Sequence, residues 1–69
     1  MIRVVCRGGA EFTGQSVESI CRRKFGRGAV YVPTQNPNTV EVGQILKPTK
    51  HNPREYWVLA VVLRIEELS

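Results

Sequence analysis

A chain of 69 residues hides only about 60% of its unfolded surface on folding, so its core is thin and a deep substrate pocket is not expected. With 42% apolar and 23% charged residues the composition is that of a folded protein rather than a disordered tail. Ten Lys and Arg against six acids give a formal charge of +4, which suits phosphate backbones or acidic protein faces and also lies within the range that solubility alone requires.

Residues 2–7 are rich in β-branched side chains and end at Gly8 and Gly9, which predicts a first strand with Ile2, Val4 and Cys6 on one face, closed by a turn. Thr13 is the expected N-cap of the following helix, with Phe12 and Val17 spaced as a hydrophobic staple. Val17, Ile20, Cys21 and Phe25 then recur at helical spacing and form a core stripe, so a helix is predicted over 14–25. Gly26 is placed to end it, and the order of Glu18 before Arg22, Arg23 and Lys24 complements the helix dipole.

The segment 29–32 reads as a second strand and 39–42 as a third, joined as a hairpin through the turn-rich 33–38. Gly43 interrupts the alternation that Ile45 and Leu46 would continue, as a bulge or bend does. Residues 47–54 form an expected polar loop whose prolines, Pro48 and Pro53, oppose regular structure. The final strand, 56–65, is apolar on both faces, with Trp57, Leu59, Val61, Leu63 and Ile65 on one and Tyr56, Val58, Ala60 and Val62 on the other. Such a strand belongs in the middle of its sheet, and its second face needs cover, which is a hint of a homodimer.

The predicted fold class is therefore α+β, a small single domain in the order β-α-β-β-β, with one three- or four-stranded sheet and a single helix packed on one face. A right-handed crossover through the helix would make the first two strands parallel. The longest apolar run, 56–63, is far shorter than the ~20 residues of a membrane-spanning helix. No apolar signal segment precedes the two cysteines, so a cytoplasmic protein without a membrane partner is expected.

Four of the ten cations fall within six consecutive residues, Arg22, Arg23, Lys24 and Arg27. With Arg7 they are candidate phosphate contacts, and the loop containing Lys47, Lys50, His51 and Arg54 is a candidate second contact. The competing reading is that the Arg residues of the helix end satisfy its last carbonyls, with the glycines serving the cap. Tyr31 and Tyr56 are the expected exposed rings for base stacking, whereas Phe25 and Trp57 are assigned to the core.

No Cys-x-x-Cys pair, phosphate-binding glycine loop or zinc-finger spacing occurs, so neither a metal nor a cofactor is expected. Cys6 and Cys21 face one another across strand and helix and serve as small buried hydrophobes. His51 lies in a loop without an orienting carboxylate, and no nucleophile has a base beside it in the sequence pattern, so the expectation is a non-enzymatic protein. The leading reading is a basic module that binds nucleic acid, DNA or RNA. The alternative is a small inhibitor or adaptor, of the compact kind mobile genetic elements encode, docking its cationic face on an acidic protein surface or a nucleic-acid-handling machine.

Overall fold

In the computed structural model, which describes residues 1–52 and 54–68, the elements run β1 (Ile2–Cys6), β2 (Glu11–Gly14), α1 (Val17–Phe25), β3 (Val30–Pro33), β4 (Gly43–Pro48) and β5 (Tyr56–Glu67). The class is α+β as expected, but the sheet has five strands in the order β2-β1-β5-β4-β3. Every neighbouring pair is antiparallel. The expected parallel crossover is therefore absent: β3, the strand after the helix, lies at the edge farthest from β2, with two strands between it and β1.

The extra strand is β2, four residues with a single large apolar side chain, Phe12. It folds back on β1 through the turn at Gly8 and Gly9, where the Cys6 amide donates to the Ala10 carbonyl at 2.8 Å. Thr13 is consequently a strand residue opposite Arg3, and the helix starts later than predicted. Its N-cap is Ser16, whose hydroxyl accepts from the Ser19 amide at 3.1 Å while the Ser19 hydroxyl accepts from the Ser16 amide at 3.2 Å. This reciprocal pair satisfies two of the amides that a helix start leaves without partners.

The stripe of Val17, Ile20, Cys21 and Phe25 does turn inward. Ile20 and Cys21 join Val4, Cys6, Ile45 and Val62 in a core in which each residue is at most 2% exposed, and Val17 and Phe25 pack against its margin. Phe12 and Phe25 meet edge to face with ring centroids 5.4 Å apart, the arrangement favoured by the ring quadrupoles.

Segment 39–42 is not a strand. The partner of β3 is β4, which begins at Gly43 and includes Lys47 and Pro48, both expected in a loop. Gly43 is buried because Tyr31 lies directly on it, and any Cβ there would collide with the ring. The glycine thus marks a close approach rather than a bend. Of the two prolines expected to shape the loop, Pro48 ends β4 and Pro53 lies outside the described residues.

Strand β5 occupies the middle of the sheet as predicted, but two register shifts break its alternation. Leu59 is the extra residue between the pairs Ile45–Ala60 and Leu46–Val58, and Leu63 between Cys6–Val62 and Val5–Arg64. Each bulge exchanges the faces of all residues beyond it. The helix-covered face therefore receives Trp57, Ala60, Val62 and Ile65. The open face receives Tyr56, Val58, Val61, Arg64 and Glu66, not the sets that strict alternation assigns.

Candidate nucleic-acid interface

The carboxylates sort the cations into two groups. On the open face, Arg3 lies 3.5 Å from Glu11 and 3.7 Å from Glu66, and Arg64 lies 3.6 Å from Glu66. Arg7 lies 3.8 Å from Glu41. Among the described residues Arg22, Lys24, Arg27, Lys50 and Arg54 have neither an ion pair nor a side-chain hydrogen bond, and all five are exposed. Arg7, unlike those five, therefore stands beside a carboxylate.

Two further cations are engaged in holding the fold. The Arg23 guanidinium donates to the Thr13 carbonyl, which ties the helix to the edge strand β2 and takes Arg23 away from the helix end. Lys47 donates through Nζ to the Phe25 carbonyl at 3.3 Å. The competing expectation, that the arginines of the helix end serve its last carbonyls, is not met: the cation that does so is Lys47 from β4. Gly26, with φ 94°, completes the end by donating its amide to the Arg22 carbonyl at 3.1 Å.

The Lys47 bond has a second consequence: it brings the two basic segments of the sequence to one end of the molecule. Lys47 is the penultimate residue of β4, and the connection 49–55 carrying Lys50, His51 and Arg54 begins two residues later. Its described residues are tied to one another by hydrogen bonds. The Thr49 amide donates to the Glu55 carbonyl at 2.9 Å, the Asn52 amide to Thr49 Oγ1 at 3.1 Å and the Arg54 amide to Asn52 Oδ1 at 3.0 Å. A preorganised loop loses little further freedom when it meets a partner.

Between the C-terminal half of α1 and β3 lies an open groove of about 690 Å³, lined among others by Glu18, Cys21, Arg22, Arg27 and Tyr31. Arg22 and Arg27, five positions apart, converge there because the chain reverses at Gly26. Glu18 is the acid at its rim. Tyr31, expected as a free ring, is instead packed on Gly43 and donates its hydroxyl to the Val42 carbonyl at 3.0 Å. Partial burial raises its phenol above the ordinary value of 10.0. It supports the groove wall rather than offering a stacking face.

The exposed rings belong to the start of β5. Tyr56 is 52% exposed, as expected, and Trp57 is 64% exposed. Sequence periodicity assigns Trp57 to the core with Leu59 and Val61. The bulge at Leu59 overturns that assignment by placing Trp57 opposite Lys47, on the helix side of the sheet. The signal that could have located it is position: Trp57 is the second residue after a long polar loop, where a strand extends past its cover.

Cys6 and Cys21 are free thiols in the core. Burial raises both, and for Cys21 the charge of Glu18 and the neighbouring Cys6 raise it further. Such thiols are poor nucleophiles and poor metal ligands at neutral pH. Among the described residues no group of three or more His, Cys, Asp or Glu converges on a common point. Compared with protein-family models, curated proteins and solved structures, the chain matches none.

Proposed function

We propose that this protein is a non-enzymatic module that binds nucleic acid through the end of the molecule carrying Arg22, Lys24, Arg27, Lys47, Lys50 and Arg54. The reading is carried by one observation: the carboxylates of Glu11, Glu41 and Glu66 pair with Arg3, Arg7 and Arg64, while the cations of the helix end and the β4–β5 connection have no acidic partner among the described residues. Uncompensated guanidinium and ammonium groups on one surface release condensed counterions when they meet phosphates. Arginine adds planar bidentate contact with phosphate oxygens.

The buried thiols and the exposed His51 lie in different environments. Among the described residues no helix is long and apolar enough to cross a membrane. A cytoplasmic setting, where free thiols persist, suits the reading. Titration of labelled DNA and RNA at low and at physiological salt tests it. Binding that weakens with salt is expected, and no binding of either polymer at low salt refutes the proposal.

A second reading, contact with protein, is favoured by the open face, where Val30, Val32 and Val58 are 45%, 44% and 56% exposed. Apolar side chains grouped on an uncovered sheet suit a protein surface, a second copy included. Capture experiments with and without nuclease separate the two: a stoichiometric protein partner that survives digestion supports the adaptor role, and loss of the captured material supports nucleic acid.

A further inference from the structure

We infer that the nucleic acid recognised is single-stranded and that Trp57 is the platform on which one of its bases stacks. The inference rests on the nucleic-acid reading above and specifies its substrate class. Trp57 is the single tryptophan of the chain, and its large amphipathic ring is left 64% exposed, outside the core and its margin. Its placement follows from the Leu59 bulge, which moves the indole from the apolar open face to the helix side.

On that side it stands across the strand pair from Lys47, whose ammonium is held at the helix end by the Phe25 carbonyl. Lys47 thus links the strand pair that carries the ring to the helix end with its unpaired Arg22, Lys24 and Arg27, and the connection with Lys50 and Arg54 leads directly into the ring's own strand. An aromatic face within a track of cations is the arrangement that binds an unpaired strand: phosphates follow the charges, and a base with both faces free lies on the ring without regard to its identity. A duplex offers no free base face unless a step is unstacked at a cost.

The test combines the anisotropy of labelled oligothymidylate, oligouridylate and a blunt duplex of equal length with the intrinsic emission of Trp57 in the unaltered protein. The expected result is tighter binding of the single strands than of the duplex, with emission quenched in step with anisotropy. Trp57→Ala should weaken single-strand binding roughly tenfold while leaving the weaker duplex binding nearly unchanged, and Trp57→Phe should restore most of the loss. Equal or tighter duplex binding with unchanged emission overturns the inference while leaving the broader reading intact. No anisotropy change with any of the three polymers at low salt removes the broader reading, and the inference with it.

Discussion

Replacing Arg22, Lys24 and Arg27 together by glutamine lowers the formal charge by three, from +4 to +1, and separates a local surface from a global charge effect. Each phosphate contact with a single strand contributes about 0.7 to the slope of log affinity against log salt, so loss of three contacts flattens that slope by about 2. Over a fourfold rise in salt the unaltered protein should then lose roughly sixteenfold more affinity than the variant. The fold should tolerate the change, because none of the three side chains has an ion pair or hydrogen bond among the described residues. What is lost is the dipole interaction of two cations in the last helical turn, together below about 1 kcal/mol when exposed and screened. The matching control replaces Arg3, Arg7 and Arg64, which carry the same total charge but are ion-paired. Anisotropy titrations at several salt concentrations should show a flattened slope for the first variant and a slope near that of the unaltered protein for the control. Equal flattening in both would refute the reasoning, since net charge rather than placement would then govern binding.

Three further outcomes concern the scaffold. Gly43→Ala forces a methyl group against the Tyr31 ring. It should cost about 1–3 kcal/mol, seen as a melting temperature lowered by roughly 4–8 °C for each kcal/mol, and an unchanged thermal transition would exclude the close approach. Ser16→Ala removes the hydroxyl that accepts from the Ser19 amide and should cost about 1 kcal/mol by urea unfolding, with Ser16→Asp retaining most of the stability. The buried thiols contribute to the pH dependence: their folded-state values are raised above the ordinary 9.0, so the stability they contribute is fully present below 9.0 and lost as pH rises through the folded values. The urea midpoint should decline above 9.0 in the native protein, more steeply than in a Cys6→Ala/Cys21→Ala variant, and equal declines would contradict thiol burial.

Much of the fold is legible in local pattern. The helix stripe of Val17, Ile20, Cys21 and Phe25 follows from spacing, and the central place of β5 follows from its double-sided apolar character. Three features escape such reasoning because they depend on tertiary pairing. Strand β2 has too few apolar residues to announce itself and exists because β1 offers a free edge. Strand β4 starts at Gly43 because a ring twelve residues earlier needs the space, which turns an apparent interruption into a strand end. The bulges at Leu59 and Leu63 have no sequence signature in an uninterrupted apolar run, and they alone decide which face Trp57 and Arg64 occupy.

The candidate site was legible in the same uneven way. Clustering in the sequence points to Arg22, Lys24 and Arg27, and the structure leaves them without acidic partners. Clustering says nothing of Arg23 bonding to the Thr13 carbonyl, Lys47 capping the helix or Arg7 meeting Glu41, since each partner is remote along the chain. Tyr31, expected as an exposed ring, supports the groove wall, and Trp57, which alternation assigns to the core, stands exposed.

Amide chemical-shift mapping on titration with a short oligothymidylate examines the binding surface residue by residue. Shifts concentrated at Arg22 to Arg27, at Lys47, Lys50 and Arg54 and at the Trp57 indole, with Arg3, Glu11, Arg64 and Glu66 unmoved, are the predicted result. Shifts centred on the ion-paired open face, with the helix end unaffected, would contradict the assignment of the unpaired cations as the contact surface.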